Sequence, residues 1–293
     1  MALEPGRRAG SLGGHMAHPQ KKIRRLFELI EPIATVSFSA EVDRAFREVG
    51  MRNFWDAYFA GRAAALGTAP AEVVDAAFYN FADGEVARHI PWVWGRISPA
   101  DAIVLRERVS AEVLRDKLDD FDDLGGVDLP RIAELATRAA ISAPTDGRVL
   151  YAGLRSLAVP DEPVAKLWHA TTLLREHRGD GHIAALMTHG IGGIESHALY
   201  AASLGSTLER FGRTHHLPRP LLASVTSGLQ DRGLLERDGR LTELGRRTRQ
   251  RVEDLTDELA APPYEVLDTA ELDELIAGLQ PIFDATHEEI PIE

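Results

Sequence analysis

Apolar residues recur at three- and four-residue intervals along most of this chain, the spacing that lays one side of an α-helix against a core. Residues 163–178 (P-V-A-K-L-W-H-A-T-T-L-L-R-E-H-R) show it well, with Val164, Leu167, Trp168 and Leu174 following a proline suited to a first turn. Arg178-Gly179-Asp180-Gly181 then reads as a break, and Asp180 stands where it could cap a second helix running from His182 to Gly190. Residues 98–137 predict two more amphipathic helices around the acidic break D-D-F-D-D-L-G-G, the second opened near Pro130. Between them and the 163–178 helix, Pro144, Asp146, Gly147, Pro160 and Pro163 punctuate a short apolar run.

Residues 206–260 follow another order. A short helix over Leu208–Arg213 and a second over Arg219–Arg232 precede two short strands within Gly233–Leu241, with Asp238-Gly239 at the tip; Thr242, helped by Glu243, then caps a further helix. Helix, turn, helix, hairpin, helix is the order of a winged helix. A degenerate echo, G-R-A-A-A-L-G-T-A-P against L-Y-A-A-S-L-G-S-T-L, points to a second copy near residues 60–97. The fold class expected is mainly α: a helical protein with one winged-helix unit, or two if the degenerate echo counts, and a small β-hairpin as the wing. Five segments follow: a disordered leader (1–20), an aromatic-rich helical half (21–140), a linker (141–163), the motif helices with the winged helix (164–260), and an acidic C-terminal tail or helix (261–293).

Composition changes this picture in three places. Half of the aromatic residues fall between 40 and 95 (Phe46, Phe54, Trp55, Tyr58, Phe59, Phe78, Tyr79, Phe81, Trp92, Trp94), which marks a nucleus of burial or an aromatic-walled cavity. The absence of cysteine excludes disulfides and thiolate metal sites and suits a cytoplasmic protein, and no apolar run approaches the roughly 18 residues needed to span a bilayer, so no membrane partner is expected. The net charge of -12 is local: residues 253–293 hold thirteen acids and no Lys or Arg, leaving 32 acids against 33 bases elsewhere. The basic cluster Lys21, Lys22, Arg24 and Arg25 reads as a solvated helix start, with nucleic-acid contact as the alternative.

The candidate chemistry concentrates in W-H-A-T-T-L-L-R-E-H-R-G-D-G-H, residues 168–182, where ionisable groups replace the Leu, Ala and Lys of a plain packing segment. Three readings stand open. One is a buried network in which Glu176 and Asp180 satisfy Arg175, Arg178 and the imidazoles. The second is a pocket for a polar or anionic small molecule, lined by Trp168, His169, Arg175, Glu176, His177, Arg178, Asp180 and His182, and joined by Arg62 and Asn80, polar groups inside apolar helices. The third, the least favoured, is a metal held by His169, Glu176 and His182, a set without the i, i+4 histidine pair of a zinc-protease helix, so no cofactor is expected.

The same stretch, with Y-F-A-G-R-A-A-A-L-G (58–67), F-Y-N-F (78–81) and T-D-E-L-A-A-P-P-Y (256–264), resembles a largely uncharacterised actinobacterial family described as helix-turn-helix proteins, over roughly residues 35–282. Its pattern includes Arg175 through His182, whereas His189 and His197 fall outside it. L-x-x-R-G-L-L-x-x-D-G-x-L-T, residues 229–242, is similar to the passage from recognition helix to wing in MarR-like regulators. The family resemblance implies no particular activity; with no Gly-rich phosphate loop, nucleophile elbow or metal signature in the sequence, a ligand-responsive regulator is the favoured reading. On that reading Arg219, Ser224, Ser227, Gln230, Arg237 and Arg240 face double-stranded DNA, a small molecule sits in the 168–182 pocket, and the chain pairs as a homodimer. Arg210, Arg213, Arg232, Arg246, Arg247, Arg249 and Arg251 add to the module's basic side, and the acidic tail shields that face or caps the fold. The alternative is a small-molecule binder or enzyme without DNA binding, with His177 or His182 as acid or base and Glu176 orienting it.

Overall fold

A computed structural model describes residues 18–119 and 126–287. The acidic break expected at 119–126 and residues 1–17 of the expected leader lie outside those residues, save for Asp119 and Gly126. Twelve α-helices follow in order: α1 Gln20–Thr35, α2 Ala40–Glu48, α3 Phe54–Ala63, α4 Ala71–Phe78, α5 Pro99–Asp119, α6 Leu129–Ser142, α7 Val149–Arg155, α8 Pro163–Thr188, α9 Gly193–Ser203, α10 Arg219–Asp231, α11 Glu243–Ala260 and α12 Thr269–Thr286. Short polar residues open several of them. Ser39, Asn53, Asp128, Thr242 and Asp268 each accept an N–H of the first turn, and Glu162 takes two at the head of α8.

Two apolar clusters hold these helices. The larger joins α1 through α7, the first half of α8, and α12; its fully buried members include Phe46, Phe59, Phe78, Leu114, Leu135 and Tyr151. The smaller gathers Ala185, Leu186, Leu199, Leu222, Leu229, Leu234 and Val252, from the end of α8 through α11. Helix α8 belongs to both, as does α11, whose Val252 sits in the smaller cluster and Ala260 in the larger.

Four expectations need correction. Helix α8 runs unbroken through Gly179-Asp180-Gly181, so no glycine corner separates two motif helices. Each interior glycine costs the helix about 1 kcal/mol relative to alanine. Position 181 has a compensating use: a β-carbon there would stand 2.3 Å from Arg148 Nη1 and 3.2 Å from Leu259 Cβ, so the glycine is what lets the guanidinium and α11 approach. Asp180 does cap a helix, but a distant one: it accepts the Tyr151 N–H at 3.0 Å in the first turn of α7.

The expected helix over Leu208–Arg213 is a run of turns, closed by Thr214 Oγ1 donating to Leu208 O at 2.7 Å. The expected wing is not a two-stranded hairpin. Leu235 and Leu241 form a single antiparallel bridge, because α10 ends at Asp231 and Thr242 already caps α11, which leaves no length for a ladder. Among the described residues of 60–97 no strand appears, and α3 and α4 are followed by short 3₁₀ turns, so the echo there carries no wing.

The ends are also tied in. His18 is buried, with Nε2 bonded to Tyr264 O and Leu267 O at 3.1 and 3.0 Å, so the last residues of the expected leader belong to the folded body. Helix α12 buries Leu272, Leu275, Leu279 and Ile282 in the larger core, and its acids answer Lys22, Arg131 and Arg138 rather than covering α10.

Candidate functional site

Glu176 is the centre of the polar interior. Its carboxylate takes a forked pair from Arg62 of α3 (Nε to Oε1 3.2 Å, Nη2 to Oε2 2.8 Å) and a third bond from Arg175 at 2.8 Å. Arg175 forks in turn to Glu31 of α1 at 2.9 and 3.1 Å, and Tyr58 Oη accepts from Arg62 at 2.8 Å. Burial alone would raise the Glu176 carboxyl, but Arg62 and Arg175 outweigh it and hold the group at about 2. The expected pairing of Glu176 with Arg175 is present, and it is extended by partners outside the motif, Arg62 and Glu31, so α8 is locked to α1 and α3.

The next turn of α8 faces a different neighbour. Arg178 reaches Glu253 (3.1 Å) and Asp257 (3.5 Å) on α11 and lies over the Phe27 ring, while Asp257 also receives Arg24 of α1. The cluster Lys21 to Arg25 opens α1 as expected and is largely solvated: Lys21 is exposed, and Lys22 and Arg25 pair at the surface with Asp273 and Glu28. Arg148 donates to the carbonyls of His177 (2.5 Å) and Leu259 (2.7 Å), tying α8 to α11. Burial, opposed by the Tyr151 bond, pushes Asp180 up to about 6.

The motif histidines do not converge. His177 is buried edge-on against Tyr151 with both ring nitrogens unpartnered, and burial beside Arg148 drops it to about 3. His182 Nδ1 meets Thr256 Oγ1 at 3.0 Å, and its imidazole is lowered by burial. His169 stands on another face of α8, its Nδ1 3.9 Å from Glu107, and burial beside Arg106 lowers it to about 4. Glu176 spends its oxygens on arginines, so it orients neither His177 nor His182. Among the described residues no three His, Asp or Glu side chains gather as a metal site would need, and His169, Glu176 and His182 face separate surroundings.

Asn80 lies at a second junction, between the aromatic nucleus and α9. Tyr79 holds a positive φ of 62° and donates its hydroxyl to Ile191 O at 2.7 Å; Gly193 packs so tightly there that a β-carbon would fall 2.0 Å from Tyr79 O. Asn80 O accepts from Arg213 (3.1 Å) and His197 (3.3 Å), and Arg213 stacks over Trp55 and Phe81. Glu85 adds a bond to His216 at 2.9 Å. The aromatic set is core: Trp55, Tyr58, Phe59, Phe78 and Phe81 pack ring against ring.

The residues expected to face DNA divide. Helix α10 buries Leu222 and Leu229, and its opposite row, Arg219, Ala223, Ser224 and Ser227, is exposed. Gln230 is half-buried and donates to Glu236 O and Arg237 O, so it holds the turn. Arg240 pairs with Asp238 at 2.7 Å, whereas the exposed Arg237 and Arg219 have no side-chain partner among the described residues. Arg213 and Arg232 are drawn into internal bonds, and Arg246 and Arg247 pair with Glu243.

The described residues form a mainly helical protein in which α9 and α10, joined by a long run of turns over 204–218, stand beside a larger helical body. A family model described as a helix-turn-helix family matches residues 23–290, so the chain belongs to that family. No curated protein and no solved structure matches it. Among the described residues no helix is long and apolar enough to cross a membrane.

Proposed function

We propose that the protein is a DNA-binding regulator whose contact surface is α10 with the turn at Glu236–Arg240, and whose placement on DNA is set by a small molecule held in the body. The observation that carries the first half is the solvent row of α10, in a chain of a helix-turn-helix family: Arg219, Ser224 and Ser227 face outward beside Leu222 and Leu229, which face in. Arg219 and Arg237 supply charges with no internal partner, and phosphate contacts of this kind provide most of the affinity for a duplex. Ser224 and Ser227 are short donors on the same row, suited to base edges or phosphates. Support for the second half comes from α8, which carries the Glu176 cluster and ends in the core of the α9–α11 module.

The test is a mobility-shift titration of the protein against its own upstream DNA at two salt concentrations. The duplex shifts specifically near physiological salt, and Arg237→Ala weakens it uniformly while reducing the salt slope by about one. Absence of any shift, or a wild-type slope in Arg237→Ala, overturns the DNA reading.

A further inference from the structure

Arg106 is a buried cation with no ion pair to a carboxylate among the described residues. Arg106 lies on α5 in the same stripe as Ala102, Val109 and Val113 and is 5% exposed. Its guanidinium donates only to Gly61 O and Ser37 Oγ, both at 3.4 Å, the long limit of a hydrogen bond, and stands 5.3 Å from the centre of the Trp168 ring. Glu176 is near enough to be felt, but its oxygens are engaged by Arg62 and Arg175. Three guanidiniums, Arg62, Arg106 and Arg175, thus share two carboxylates, Glu31 and Glu176. A buried surplus charge is costly unless something else neutralises it.

The surplus sits beside an open space. Between α5, the end of α7 and α8 runs a narrow cleft, about 350 Å³ with the solvent at its opening counted, whose interior in this conformation admits little more than a water molecule. Ile103, Leu154, Leu157 and Leu173 give it an apolar wall. Three buried polar atoms in its lining have no partner: Trp168 Nε1, His169 Nε2 and Thr172 Oγ1. Positions 168, 169 and 172 share one side of α8, so their orphaned groups face the cleft together. Buried polar groups are rarely left unpaired, and three in one lining beside a guanidinium with only two long hydrogen bonds and no carboxylate mark a place suited to a guest.

We infer that this cleft binds a small organic carboxylate, with Arg106 taking the carboxylate and Trp168, His169 and Thr172 bonding around it, while the ligand's apolar part lies against Ile103, Leu154, Leu157 and Leu173. A monoanion matches the surplus of one charge, and a guanidinium fork matches a carboxylate's two oxygens. The apolar wall favours a carboxylate with a hydrocarbon part over inorganic phosphate. Glu107 also lines the cleft, its carboxylate 3.9 Å from His169 Nδ1, so the guest's charge belongs on the Arg106 side, away from Glu107; the half-buried side chains of Ile103, Glu107 and Leu157 would have to move to admit it. This names the ligand of the regulator proposed above, and its regulatory consequence rests on that reading; the binding does not.

The experiment follows thermal unfolding of the full chain with benzoate, phenylacetate and butyrate at matched ionic strength, with benzamide and inorganic phosphate as controls. At least one carboxylate raises Tm saturably, by roughly 5 °C at a hundredfold excess over its Kd, and benzamide does not. Arg106→Met abolishes the response and, by replacing a buried unpaired charge with an apolar chain, raises Tm without ligand. Thr172→Val keeps the shape and weakens binding about tenfold, which covers the case of an Arg106→Met that fails to fold. No response to any of the three carboxylates, equal shifts from benzamide, a response to phosphate alone, or an undiminished response in both variants overturns the inference. Mobility shifts run in parallel separate the two ideas: carboxylate binding without a DNA shift sinks the regulator and leaves the site, and the reverse result sinks the site alone.

Discussion

The two cores of this protein treat charge in opposite ways. In the larger, Arg62, Arg175 and Glu176 are drawn inside and bonded to one another across α3, α8 and α1. In the smaller, the apolar interior is leucine with a few Ala, Ile and Val, and the charges of α10 and the following turn stay at the surface, Arg219 and Arg237 without internal partners. The first arrangement fixes how helices sit, since a buried ion pair leaves little freedom in geometry. The second leaves side chains free for an external partner.

The sharpest way to break this contrast is to remove the central carboxylate. Glu176→Leu strands Arg62 in the core, and stability falls by about 3–5 kcal/mol in urea unfolding. Adding Arg62→Met to that variant restores much of the loss, because two apolar chains replace the pair. A single variant with unchanged stability would falsify the claim that the network holds α8 in place.

Next in size is the seam between the regions. Gly193→Ala drives a β-carbon into the Tyr79 carbonyl, a backbone atom that cannot swing aside, and costs about 1–3 kcal/mol. Hydrogen exchange shows the difference: amides of α9 and α10 lose protection while those of α5 and α6 keep theirs. Equal loss everywhere would mean that the two cores unfold as one.

Titration separates the buried neutral groups from the paired ones. His177 and His169 sit at about 3 and about 4 against an ordinary 6.5, so their contribution is complete above pH 6.5 and is lost as pH falls toward those values. Asp180, raised from 3.8 to about 6, runs the other way, with its contribution complete below 3.8 and lost as pH rises through 6. Two imidazoles outweigh one carboxyl, so the urea midpoint drops between pH 6.5 and 4. His177→Leu flattens that drop, and a variant as acid-sensitive as the parent excludes His177 as its source.

The smallest effect on stability belongs to the surface of the smaller region. Ser224→Ala and Arg237→Ala change unfolding by no more than about 0.5 kcal/mol, and any larger loss shows that these side chains serve the fold rather than a partner.

Much of this was written in the local pattern. Pro163, the apolar stripe of 163–174 and the cap at Thr242 depend on neighbours a few residues away, and such signals are readable in a single chain. Gly179-Asp180-Gly181 was not, because its reasons lie elsewhere: Gly181 makes room for Arg148 and Leu259, and Asp180 serves the N-terminus of α7. Arg62 stood out as a polar residue in an apolar helix, and Glu176 answers it. Asn80 stood out for the same reason, yet it lies past the end of α4, its backbone carbonyl alone meets His197 and Arg213, and its side-chain Oδ1 has no partner among the described residues. Arg106 passed unnoticed in A-I-V-L-R-E-R-V, although its place four residues after Ala102 and three before Val109 puts a cation in a buried stripe.

Helix α8 carries one more consequence. At 26 residues it is a rod of about 39 Å with no joint along its length, seated in one core at its head and in the other at its foot. A displacement at Trp168 or His169 has no break in the helix to absorb it midway, and the foot of α8 leads through Gly190 and Gly192 into α9, where Gly193 is packed against Tyr79.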